Sequence, residues 1–138
     1  MKKQIVAAVA IAFVLVAILF LSATPQQEGV SKITITSNAN KLEVTKYEVK
    51  SSIGNNIKSA PLTKNEFKEI EQLVLSKEFE ALNARYEANL PKGQVCTQAS
   101  FEFSVDYTFG RSKTIFVEGC TEEPAIMHNI LLKIPRTK

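Results

Sequence analysis

The sequence contains few of the side chains that enzymes use for chemistry. Among its 138 residues there is one histidine, His128, and one aspartate, Asp106. Catalysis by acid and base, by a nucleophile or by a metal needs several reactive groups brought together. No phosphate-binding loop, paired-glycine dinucleotide motif or acceptor site for N-linked sugar occurs. We therefore expect a protein that is not an enzyme, with no catalytic residues, no cofactor and no metal site.

Structural roles account for the scarce candidates. We expect His128 to be half-exposed at the edge of a helix, and Asp106 to be a solvated strand carboxylate across from Lys113 or Arg111. Glu122 and Glu123 precede Pro124, and we expect them to cap the helix that starts there, because the helix dipole favours carboxylates at this position.

Cysteine is also rare. The two cysteines, Cys96 and Cys120, are predicted to form one disulfide, which would stabilise the fold by roughly 3 kcal/mol in the chain-entropy model. A metal or redox pair is the alternative, but it has little support without a Cys-x-x-Cys motif or further histidines.

Charge is absent from residues 5–23, an apolar run that follows Lys2 and Lys3. At about 1.5 Å per residue this run reaches roughly 28 Å, the thickness of a bilayer's hydrocarbon core. We expect a single-pass anchor at residues 5–23, with residues 1–4 in the cytoplasm, a tether at residues 24–30 and a domain outside at residues 31–138. The chain would then sit in the cell membrane. The alternative is a signal peptide whose cleavage leaves a secreted protein.

The part beyond the anchor is nearly neutral and has the size of one domain. Without Lys2 and Lys3 it holds fifteen basic side chains against fourteen acidic ones. Its lysines are interspersed with glutamates, whereas a nucleic-acid-binding protein shows a clustered basic surface. We expect no nucleic-acid partner.

The first half of this domain shows two strands and a helix. Ile33 and Ile35 alternate with polar residues, and residues 42–49 continue as a second strand with imperfect alternation. Residues 51–60 are polar and are predicted to be a loop. Thr63 and Glu66 form a capping box that predicts a helix ending near Lys77 or Glu78, followed by an apolar return segment.

The second half repeats this order. Residues 101–109 alternate without error and place four aromatic side chains on one face of a long strand, which we interpret as core. Residues 114–118 return as its antiparallel partner, and a final helix extends from Pro124 to the residue before Pro135. The predicted fold class is α+β, with a β-β-α-β-β-α order and a two-layer domain built on an antiparallel sheet.

Residues 62–134 resemble known small exported domains. The order of Leu62-Thr63, Arg85-Tyr86, Cys96-Thr97, a long alternating strand and Gly119-Cys120 is similar to exported or lipoprotein-type α+β domains of uncharacterised function in bacteria and archaea. Such domains carry an aspartate after the Cys-Thr pair, where this chain has Gln98. The resemblance implies the fold and the location, and it implies no activity.

These observations favour a non-catalytic module outside the membrane that binds a protein or peptide partner. An exposed strand, Ile33 to Ser37 or Thr114 to Glu118, would pair with an extended segment. Arg85 and Tyr86 are weak candidates for partner binding, because an arginine beside an aromatic in a connecting segment can reach a ligand. The alternatives are a structural spacer of the envelope, or a redox or enzyme accessory subunit that uses Cys96 and Cys120.

Overall fold

The computed structural model describes residues 26–137. Within this part of the chain no helix is long and apolar enough to cross a membrane. The anchor predicted at residues 5–23 lies outside the described residues. The predicted domain lies within them, apart from its last residue.

The domain is α+β, as predicted, but it has more strands than the sequence suggested. Its elements follow one another as β1 (Val30–Ser37), β2 (Asn40–Val44), β3 (Glu48–Ile53), β4 (Asn56–Pro61), α1 (Lys64–Val74), α2 (Lys77–Glu80), β5 (Arg85–Tyr86), β6 (Phe101–Tyr107), β7 (Ser112–Val117) and α3 (Ala125–Lys133). The predicted order of two hairpins, each followed by a helix, is therefore too simple.

All seven strands belong to one sheet, in the order β4-β3-β2-β1-β6-β7-β5. Every neighbouring pair is antiparallel except β5 and β7, which run parallel. β1 lies in the middle, where Ile33 is in register with Val44 of β2 and with Val105 of β6. The first four strands form a meander that this pairing joins to the strands of the second half.

The region predicted as one strand and a loop is two hairpins. The segment 42–49 divides into β2 and β3 at a turn closed by a bond from Thr45 N–H to the Glu48 carbonyl. Residues 51–60, predicted as a loop, form the second half of β3 and most of β4, on either side of Gly54-Asn55. Gly54 has φ of +56°, which suits the first central position of a tight hairpin turn. The loop prediction was wrong because residues 51–60 contain no buried side chain, so their sequence shows no alternation of apolar and polar residues.

The expected exposed edge was also wrong. β1, which contains Ile33 to Ser37, is central, and β7 is flanked by β6 and, over two residues, by β5. Among residues 26–137 the two edge strands are β4, with six residues, and β5, with two.

The helices begin where the sequence predicts, with two differences. Thr63 caps α1 and both hydrogen bonds of the capping box with Glu66 are present, but α1 ends at Val74 and a separate turn, α2, follows Ser76. Pro124 is the N-cap of α3 and no side chain caps this helix. The expected capping role of Glu122 and Glu123 is therefore wrong.

The core lies between one face of the sheet and the helices. Phe67, Ile70 and Val74 of α1 and Ile126, Met127 and Ile130 of α3 pack against the alternating residues of β1, β6 and β7. In β6 the inward residues Phe103, Val105 and Tyr107 are buried, which confirms that the aromatic stripe is core. Phe109 is the exception, because the strand ends at Tyr107 and leaves Phe109 58% exposed in the following turn.

The Cys96–Cys120 disulfide is present, as predicted. It joins the segment before β6 to the chain just after β7, at the end of the sheet opposite the turn that contains Phe109. Most of residues 87–100 lack regular structure, and the disulfide fixes this segment to the sheet.

Replacing both cysteines by alanine should lower the free energy of unfolding by about 3 kcal/mol, because the bridge closes a loop across a sequence separation of 24. Urea unfolding of the oxidised wild type and the double variant measures the difference. Thr97→Ala in the same segment serves as a control that keeps the bridge. A double variant as stable as the wild type would show that the bridge adds nothing to the fold.

Candidate binding surface

Within residues 26–137 no strand lies beside the outer edge of β4. The two-residue turn makes Ile53 and Asn56 a hydrogen-bonded pair, so Asn56, Lys58 and Ala60 point their backbone groups at β3. Ile57, Ser59 and Pro61 then point theirs outward. The edge therefore offers the N–H groups of Ile57 and Ser59, and the carbonyls of all three residues, to an added strand.

Apolar side chains accompany this edge. Ile57 on β4 is 66% exposed and Tyr47 in the preceding turn is 70% exposed. A groove of about 410 Å³ runs beside the edge and is lined by Thr45, Tyr47, Glu48, Ser59, Ala60 and Pro61. An extended segment paired with β4 would place a side chain against Ile57, and its next residues would reach the groove.

The opposite edge of the sheet is covered. β5 lies beside β7, whose N–H groups at Phe116 and Glu118 donate to the carbonyls of Ala84 and Tyr86. Lys113 extends over the same side and donates to the carbonyls of Glu80 and Leu82 at 2.7 and 3.1 Å. A partner strand would have to displace residues 80–86 to reach β7.

Arg85 and Tyr86, the predicted partner-binding residues, form β5 and contact the domain itself. The Arg85 guanidinium lies 4.7 Å from the centre of the Phe116 ring and donates to Glu87 at 2.8 Å. The Tyr86 hydroxyl accepts the N–H of Asn83, and its ring packs against the core. Both residues thus contribute to covering this edge, and their role toward a partner remains a prediction.

The face of the sheet away from the helices is largely polar and carries three ion pairs. Lys32 lies 3.6 Å from Asp106, and the close pairs Lys41–Glu43 and Glu48–Lys50 follow along β2 and β3. We expected Asp106 to lie across from Lys113 or Arg111, but it pairs with Lys32 of β1. The hydrogen bond from Lys41 lowers the pKa of Glu43, and neighbouring lysines add to this effect.

A charged cluster joins the start of the described chain to the turn after β6. Arg111 donates to the carboxylates of Glu28 and Glu80, with shortest distances of 2.8 and 3.0 Å. Its guanidinium stacks 3.8 Å from the centre of the Tyr107 ring, and the Tyr107 hydroxyl donates to Glu80 at 3.1 Å. We call these four residues the arginine cluster.

The arginine cluster shifts the titration of its members. The hydrogen bond from Arg111 holds the pKa of Glu80 below its usual value, and the two carboxylates raise the pKa of Arg111. Burial raises the pKa of Tyr107 to about 12, with a further contribution from Glu80. Each charge of the cluster already has a partner inside the domain.

His128 is exposed on α3 and its Nδ1 contacts the carboxylate of Glu123. This contact explains the position of Glu123 without a capping role. Within residues 26–137 no three His, Cys, Asp or Glu side chains lie close enough together to hold a metal ion.

The sequence therefore identified residues near one edge of the sheet, while the accessible edge lies at the other. Ile57 and Ser59 were missed because their segment has no alternation of apolar and polar residues. The available signal was Gly54-Asn55, a two-residue turn between Ile53 and Asn56, which is typical of a tight hairpin.

No protein-family model matches this chain, and neither a curated protein nor a solved structure was found to be similar to it.

Replacing Tyr107 by phenylalanine should reduce the loss of stability at high pH. An unfolded tyrosine ionises near pH 10, whereas the pKa of Tyr107 in the folded protein is about 12. The raised pKa contributes stability that is fully present below about pH 10 and is lost as the pH rises to about 12. The loss of free energy of unfolding at about pH 12 is about 2 kcal/mol.

Urea unfolding at a series of pH values from about 9 to 12 tests this window. The free energy of unfolding should fall more steeply for the wild type than for Tyr107→Phe. Tyr47→Phe is the matched control, because Tyr47 is exposed and its loss should leave the slope unchanged. Equal slopes for all three proteins would contradict the assignment.

Proposed function

We propose that this chain is a non-catalytic module, anchored in the membrane and exposed outside it, that binds an extended segment of a protein or peptide along β4. The observation that carries the proposal is the accessible backbone of Ile57, Ser59 and Pro61 at the outer edge of the sheet. The apolar run at residues 5–23 supports the anchor and the location.

The geometry favours a partner of defined chemistry. Addition of a strand uses backbone hydrogen bonds for affinity and alternate side chains for specificity. The residue opposite Ile57 should be β-branched or aromatic, because such cross-strand pairs are favourable. Lys58 is exposed on the other face of β4 and favours an acidic side chain in the partner.

Several features of β4 limit nonspecific pairing. The strand has six residues, and Pro61 removes one donor at its end. Lys58 adds a positive charge that opposes the approach of a second positively charged edge. A short partner of matching charge is therefore favoured over an open-ended array of sheets.

Replacing Ser59 by proline should weaken peptide binding about tenfold or more. The substitution removes an outward N–H and blocks the close approach of a partner strand, and one lost hydrogen bond with its desolvation costs about 1–3 kcal/mol. Ser59→Ala is the matched control, because it removes the hydroxyl and keeps the N–H.

The measurement begins with peptides selected from a random library on the full chain in lipid nanodiscs. Dissociation constants are then compared for the wild type, Ser59→Pro and Ser59→Ala, after circular dichroism has confirmed that each is folded. Equal affinity for wild type and Ser59→Pro would overturn binding at β4. A failure to select any peptide would favour the structural spacer.

A further inference from the structure

The start of the described chain is held against the domain by several bonds. Gly29 N–H donates to the Thr108 hydroxyl, and Thr108 N–H donates to the Gly29 carbonyl, both at 2.9 Å. Val30 N–H donates to the Glu71 carboxylate at 2.9 Å, and Glu28 pairs with Arg111. The chain therefore enters the domain at a fixed position beside the turn that follows β6.

This position lies at one end of the sheet, which we call the entry end. Because β1 is antiparallel to both neighbours, the turn between β2 and β3 and the turn between β6 and β7 lie at the same end as Gly29. Tyr47 lies in the first turn and Phe109 in the second. The two turns thus lie on opposite sides of the incoming chain, about three strand spacings or roughly 14 Å apart.

The entry end exposes aromatic and basic side chains together. Tyr47 is 70% exposed and Phe109 is 58% exposed. Lys46 is exposed next to Tyr47, with its ammonium 5.9 Å from the ring centre. Lys64 is exposed in the first turn of α1, close to the bond from Leu62 N–H to the Tyr47 carbonyl. Neither Tyr47 nor Phe109 is part of the buried core, so packing inside the domain does not account for these two aromatic side chains.

The reach of the chain restricts where this end can lie. Gly29 lies six positions after Ala23, the end of the apolar run. Even a fully extended chain spans at most about 20 Å over these six positions. The fixed contacts at Glu28, Gly29 and Val30 leave little freedom for the domain to turn away from the point where the chain enters.

We propose that the entry end lies on the bilayer surface, with Phe109 and Tyr47 inserted at the level of the lipid headgroups on either side of the tether. The inference rests on the anchor in the proposed function. Aromatic side chains are favoured at the membrane–water interface, and exposed lysines beside them attract anionic lipid headgroups.

This orientation turns the opposite end of the sheet away from the membrane. The turn at Gly54-Asn55 and the Cys96–Cys120 disulfide lie at that far end. Ile57 is the exposed apolar residue of β4 nearest to it. The edge of β4 then runs away from the membrane surface, with Ile57 accessible near its far end and the groove beside Tyr47 next to the headgroups.

Single tryptophan variants of the full chain test the orientation, because the native sequence contains no tryptophan. Phe109→Trp, Tyr47→Trp and Ile57→Trp are each reconstituted into vesicles of phosphatidylcholine and phosphatidylglycerol. Parallel vesicles contain phosphatidylcholine brominated in its acyl chains near the glycerol. All three positions are exposed, so each variant should fold, which the unfolding midpoint confirms.

Tryptophan at positions 109 and 47 should emit at shorter wavelength in vesicles and lose fluorescence to the brominated lipid. Tryptophan at position 57, the matched control, should show neither change. Equal quenching at all three positions, or none at positions 109 and 47, would overturn the proposal.

Flotation of the vesicles separates this result from a failure of the anchor. A full chain that does not float with the vesicles would overturn both the anchor and the orientation. A chain that floats without quenching at positions 109 and 47 would overturn the orientation alone. Peptide binding at β4 is a separate measurement, so failure of the orientation and failure of the binding site are distinguishable.

Discussion

The pairing of β1 with β6 holds the two halves of the domain together. The first four strands form a meander of neighbours in sequence, and the later strands supply the remainder of the sheet. These two groups meet where Ile33 is in register with Val105, and both side chains are fully buried. Residues of α1 and α3 belong to one buried cluster with residues from both groups of strands.

The sequence predicted those parts of the fold in which pattern and burial agree. Residues 101–107 alternate because one face is core and the other is open, and Thr63 with Glu66 specifies a helix start through local bonds. The Cys96–Cys120 bridge followed from the presence of two cysteines in the chain.

The missed strands show the limit of pattern alone. In β4 only Ala60 is partly buried and the other residues are exposed. Burial therefore does not select an alternation of apolar and polar residues in this strand. Its position is set by the tight turn at Gly54 and by pairing with β3. β4 lies at the margin of the sheet. This position leaves its backbone edge accessible and its side chains exposed, so the strand has no alternation by which the sequence could reveal it.

The domain divides its surface between contacts with itself and accessible groups. Arg111, Arg85 and Lys113 are all used to cover chain segments or pair with carboxylates inside the domain. The polar face of the sheet is likewise occupied by its own ion pairs. The candidate binding surface consists instead of main-chain groups along β4, and the entry end contributes exposed rings. Neither feature depends on an unusual titratable group.

The central place of β1 also has a consequence for how the chain folds as it is synthesised. The residue pair Ile33 and Val105 is separated by 72 positions, and at about 5–20 residues per second the second strand emerges roughly 4 to 14 s after the first. During that interval the meander can close by local contacts, while the other side of β1 remains an unpaired edge with apolar residues. The early chain therefore needs protection from aggregation until its last third is available.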